Sequence, residues 1–151
     1  LAGVISQSAF AATDTGQARA QIITPITITT TTTLYFGSIQ AAVGGDTIAL
    51  DTSNNAVPAG TSVVTGTPTS GSFDVSGTPN ALYTITLPAS TLLNFGAFNM
   101  TVNNFSHNAG ATPTIDVSGT SALNIGADLI IAAGQAEGVY TGSYDVIVDY
   151  Q

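Results

Sequence analysis

The sequence predicts an all-β domain, best described as an Ig-like β-sandwich. Three observations carry this. Charged residues make up only 7 % of the chain, far below the usual quarter or so, so Thr, Ser, Asn and Gly must cover the surface. Thr favours pleated strands, while Gly, Asn and Pro favour turns. Apolar residues also alternate with polar ones over short stretches, no helical periodicity of useful length appears, and turn signals recur about every 8–12 residues.

The elements follow in order. Leu1–Ala12 is apolar and small, and it allows two strand registers. Leu1, Gly3, Ile5, Gln7 and Ala9 share one face; Ala2, Val4, Ser6, Ser8 and Phe10 share the other. Thr13–Gly16 is a hinge. Gln17–Thr33 is predicted as one long strand, since its threonine run is stiff when extended. Pro25 within it cannot donate to a ladder, which marks an edge or a bulge. Gly44–Leu50 ends in a short strand, Asp51–Gly60 is a loop by composition, and Ser62–Val64 is a short strand.

Gly71–Pro88 is predicted as a hairpin, with Ser72–Ser76 and Ala81–Leu87 joined by Gly77–Asn80. Tyr83, Ile85 and Leu87 face inward there. Leu92–Gly96 is an irregular apolar link. Phe98, Met100 and Val102 alternate with Asn99, Thr101 and Asn103. Ser106–Ala111 is a loop, Thr112–Val117 and Ser121–Ile131 are strands or near-strands, and Ala132–Gly138 is a turn. The pentapeptide Asp-Val-Ser-Gly-Thr occurs at Asp74 and again at Asp116, as reused strand-then-turn chemistry rather than a solenoid. The final stretch, Gly138–Gln151, alternates for more than ten residues. Tyr140, Gly142, Tyr144, Val146, Val148 and Tyr150 share one face, so it reads as one long half-buried strand. Such a strand needs partners on both sides, or it leaves an open edge.

At 151 residues the chain is long enough for one domain with a real core. It carries nine acidic residues, one basic residue (Arg19) and a net charge of −8. Nucleic acid and anionic membrane surfaces both need clustered Lys or Arg, so neither is an expected partner. There is no cysteine, hence no disulfide or thiolate chemistry. No stretch is apolar enough to span a bilayer as a helix. No signal-peptide pattern is present, so a secreted protein would be in mature form here.

Catalytic and metal chemistry find little support. His107 stands alone in an Asn-rich loop without partners at useful spacing. No nucleophile elbow occurs. The acidic residues are scattered and form no calcium loop; Asp145 and Asp149 read as solvated charge on the outer face of the last strand. No enzyme activity, cofactor or metal is expected.

Gly138 is fourteenth from the end and Tyr150 is penultimate, within an alternating strand. This ending resembles the signature of chaperone–usher pilins. The runs Ile23–Ile28 and Leu34–Gly37, together with Gly138–Gly142, are also similar to small secreted β-domains of the spore-coat-U and archaic pilin type. The resemblance covers Ala18 onward. It implies a sandwich that lacks one strand in cis, completed by a donor strand from a neighbouring subunit. Residues 1–16 would be the donor arm and hinge, and 17–151 the pilin domain. Leu1, Val4, Ile5 and Phe10 are candidate donor residues, with the inward set depending on register. Gly138, Tyr140, Tyr144, Val146, Val148 and Tyr150 would line the acceptor strand. The implied partners are identical subunits, head to tail, with a periplasmic chaperone and an outer-membrane usher during assembly. The implied location is an extracellular filament for adhesion or biofilm formation. The rival expectation is a monomeric, self-complemented surface adhesin, with recognition carried by Asp51–Gly60 and Asn103–Ala111.

Overall fold

The computed structural model describes residues 2–6 and 8–151. The chain is all-β, with no helix among those residues. Its spine is β10 (Thr120–Ile131), twelve residues long. Leu123, Ile125, Ala127, Leu129 and Ile131 alternate along it and are all buried. That one face runs through both apolar clusters of the protein.

β10 holds the large antiparallel sheet together by changing partners along its length. Thr120–Ile125 pairs with β6 (Gly71–Ser76), and Ala127–Ile131 pairs with β3 (Asp46–Leu50). Ile125–Ile130 pairs with β9 (Phe98–His107), with a register shift between Gly126 and Asp128. β9 pairs in turn with β8 (Ser90–Phe95), β3 with β4 (Ala56–Pro58), and β6 with β1 (Thr27–Thr32). Two small sheets cover the inner face of this curled sheet. β7 (Tyr83–Thr86) pairs with β11 (Ile147–Tyr150) over Phe73, Val75, Leu123 and Ile125. β2 (Ser38–Gln40) pairs with β5 (Val63–Thr65), and Ile39 and Val64 pack against the cluster of Ile48, Leu50, Val102 and Leu129. The arrangement is consistent with a β-sandwich.

Several elements differ from the sequence-based expectation. The strand expected over Gln17–Thr33 pairs regularly only from Thr27. Pro25 offers no N–H to a ladder, and residues 17–25 are exposed. β6 and β7 are strands with the expected inward residues, yet they do not form a hairpin. The Gly77–Asn80 link carries the chain from one layer to the other, and Asn80 N–H donates to Ile115 O at 2.9 Å. Leu92–Gly96 is not an irregular link, because β8 runs through it. The Asp51–Gly60 loop contains β4, an edge strand that tolerates Pro58 because nothing pairs beyond it. Within Gly138–Gln151 burial alternates only over residues 144–150, Gly138 and Gly142 being exposed, and regular strand is confined to Ile147–Tyr150. The two Asp-Val-Ser-Gly-Thr segments meet in space, with Gly77 N–H donating to Gly119 O at 2.9 Å.

Asp46 ties β3 to the chain ahead of β5. Its Oδ1 accepts from Thr47 and Gly60 N–H, each at 2.7 Å, and its Oδ2 accepts from Ser62 N–H at 2.9 Å. The Ser62 contacts first, then those from Thr47 and Gly60, hold this carboxyl below its ordinary 3.8 against the opposing effect of desolvation. The unfolded chain therefore takes up the proton first as pH falls. The stabilising contribution is complete above pH 3.8 and is lost below it, as pH drops through the depressed folded value. Asp46→Asn should lower stability at neutral pH and flatten this part of the acid limb, as read by urea midpoints between about pH 2 and 6.

Candidate functional site

The strand edges direct attention to one place. Among the described residues, β1 has β6 as its one strand neighbour, and β11 has β7. The other edge of β1 and the final segment flank an open cleft. Its lips at one end are Thr30–Leu34 and Gly142–Tyr144, and its floor there includes the core residues Phe36, Phe73 and Val102. The cavity at this end measures about 200 Å³. Toward the other end, Ile26 and Ile28 of the β1 lip and Val146, Val148 and Tyr150 of the final segment all pack on the same apolar cluster.

The sequence builds this cleft by making the final segment change layers. At its start the segment runs beside β8. Asn94 and Thr141 exchange backbone hydrogen bonds of 2.8 and 3.1 Å, and Thr91 Oγ1 donates to Ser143 O at 2.7 Å. A side chain at Gly142 would strike Leu92 O, and one at Gly138 would strike the Phe95 ring. Both glycines permit close approach. Beyond Val146 the segment joins β7 instead. Between Ser143 and Ile147 the segment leaves β8 for β7, and its regular pairing is confined to β11.

Two tyrosines anchor the crossing. The hydroxyl of Tyr144 lies against Gly71, and that of Tyr150 against Gly77, where any Cβ would collide with it. Tyr144 also packs its ring on Phe105 at 5.1 Å and edge-on to Phe73 at 6.2 Å. Burial pushes its hydroxyl pKa up to about 12. Tyr150 Oη accepts from Thr78 N–H at 2.7 Å and donates to Thr24 O at 2.5 Å. The second bond ties Thr24, ahead of β1, to the end of the final segment.

The remaining candidate residues fall into two groups. Tyr140 is half-buried, its ring tilted on Phe95 at 5.6 Å and its hydroxyl donating to Ala136 O at 2.8 Å. It stands beside the cleft-forming segment rather than on the cleft floor. Val4, Ile5 and Phe10 are 94 %, 88 % and 95 % exposed, apart from both apolar clusters. Leu1 lies outside the described residues. Thr30, Thr32 and Thr33 of the opposite lip and the floor residues Phe36, Phe73 and Val102 were missed as cleft residues from sequence. The signal available for the lip was the five-threonine run, whose β-branched side chains suit an exposed strand.

His107 ends β9, with Nδ1 accepting from Ala109 N–H at 3.3 Å. No cluster of His, Cys, Asp and Glu suited to a metal ion occurs among the described residues. No helix among them is long and apolar enough to cross a membrane. The site presents the outer edge of β1 and the final segment on either side of an apolar floor. A family model described as a domain of unknown function (DUF4402) matches residues 26–150. No curated protein and no solved structure matches the chain.

Proposed function

The chain belongs to the DUF4402 family, and we propose that it is a structural subunit that polymerises by donor-strand exchange. Its fold on this reading is an Ig-like sandwich short of one strand, in the manner of chaperone–usher pilins. Residues 1–12 of one copy add to the cleft of the next, and residues 13–16 serve as the hinge. The observation that carries the reading is the coincidence of two features in one chain. The cleft opens onto Phe36, Phe73 and Val102 between two strand edges, and an apolar segment bearing Val4, Ile5 and Phe10 stands in solvent.

Strand addition supplies backbone bonds along both lips and side-chain pockets at alternate positions. Each inserted apolar side chain contributes ~1.5–3 kcal/mol, offset in part by ordering the segment. Because the added strand completes the core, dissociation requires partial unfolding, and the joint persists kinetically. A head-to-tail contact of this kind does not close, so it yields a filament. Secretion through the periplasm, with a chaperone holding the cleft until an usher assembles the subunits, belongs to the same proposal. So does a role without catalysis, in adhesion or biofilm formation on the cell surface.

The purified protein should show fibres in negative-stain electron microscopy and a ladder on unboiled denaturing gels that collapses on boiling. A single band, boiled or not, with no fibres at any concentration, rejects the proposal.

A further inference from the structure

The cleft holds a cavity at one end, its wide end, and at the other, its narrow end, Tyr150 Oη bonds Thr24 O; from this we infer the register of the added strand: Phe10 of a second copy fills the wide end beside Tyr144, with Ser8, Ser6 and Val4 following along the floor and Ile5 and Ala9 turned outward. This rests on the polymer reading above. The wide end holds about 200 Å³ and is bounded by Phe36, Phe73 and Tyr144. An aromatic side chain fits such a wall best, through offset or edge-on ring contacts. Phe10 is the sole aromatic among the first 25 residues and is 95 % exposed.

Placing Phe10 fixes the rest, because side chains alternate along a strand. Val4 lies on the same face, six residues away; Ile5 lies on the opposite face. Ile26 and Ile28 lie toward the other end of the β1 lip, so Val4 falls beside them. Ser8 then comes beside the hydroxyl of Thr30, which can satisfy it.

Direction follows from the exit point. Tyr150 Oη holds Thr24 O at the narrow end, so the segment departs there. In a head-to-tail stack the narrow end of one subunit meets the wide end of the next. The segment then enters at the wide end, with Phe10 nearest the joint and Val4 deeper. The inserted strand runs parallel to β1 and antiparallel to the final segment. A segment folding back on its own subunit from a short hinge would enter at the narrow end and place Phe10 there instead.

The test has two arms, both on the full-length chain. Phe10→Ala should reduce polymer yield by about a hundredfold, while Ile5→Ala stays within about twofold. The chain lacks cysteine, so Phe10→Cys with Thr32→Cys should give a covalent ladder under oxidation, and Ala9→Cys with Thr32→Cys should not. If Ile5→Ala is the damaging change, or only the Ala9 pair cross-links, the register is wrong while the polymer stands. If the Phe10 pair closes within single chains, the occupant is the subunit's own segment and the inference fails. If the wild-type chain forms no polymer at all, the underlying proposal fails first.

Discussion

Removing residues 1–12 should leave single subunits that no longer form fibres, and a synthetic peptide of those residues should raise their melting temperature. The reason is the cleft floor. Phe36, Phe73 and Val102 are core residues, yet they border a cavity that opens between two strand edges. A ligand that binds the folded state alone stabilises it by mass action, by about 2.7 kcal/mol at a hundredfold excess over its Kd. For a domain of this size that corresponds to a rise of roughly 5–11 °C. A peptide with Phe10 replaced by Ala should give a much smaller rise. Calorimetric scans of the truncated protein with and without peptide measure this. An unchanged melting temperature at saturating peptide, or undiminished fibres after truncation, means that nothing is added to the cleft by this segment.

The second large effect lies on β10. Gly126 sits on β10 where the strand passes from β6 to β3 and its register with β9 shifts. A Cβ there would collide with Leu50 O and lie 3.0 Å from the Asp51 carbonyl carbon and 3.1 Å from its Cα. All three are backbone atoms, so no side-chain rotation relieves the contact. Gly126→Ala must push β3 away from β10, and β3 carries Ile48 and Leu50 into the core. A loss of about 3–5 kcal/mol follows. Gly44→Ala is the control: it meets nothing within 4 Å, and a compatible Gly→Ala change is neutral or stabilising by up to about 1 kcal/mol. Equal urea midpoints for the two variants would mean that the β3–β10 pair yields without cost.

Much of the fold could be read from residue order. β10 was legible because five inward residues alternate without interruption. The inward faces of β6 and β7 were legible for the same reason. Their pairing was not, since a turn such as Gly77–Asn80 joins neighbouring strands or opposite layers equally well, and only the competing edges of β10 and β11 decide. β8 was hidden because Leu92 and Leu93 are adjacent apolar residues, one pointing out and one in, which erases the alternation. β4 was hidden by Asn54, Asn55 and Pro58, whose composition is that of a loop. The apolar face of the final segment was readable, but its length as a regular strand was not. Pairing is lost where Gly142 meets β8 and the backbone must cross to β7, a requirement that periodicity does not express. The cleft floor was out of reach for a related cause: Phe36, Phe73 and Val102 come from distant parts of the chain.

The two tyrosine–glycine contacts act as a gauge of length. Tyr144 and Tyr150 are six residues apart, and so are Gly71 and Gly77, so the crossing segment and β6 are matched in span at both ends. Inserting or deleting one residue inside either interval would leave one hydroxyl without its notch. Variation in chain length among family members should therefore accumulate outside these two intervals, and any member with a changed count in one should carry a compensating change in the other.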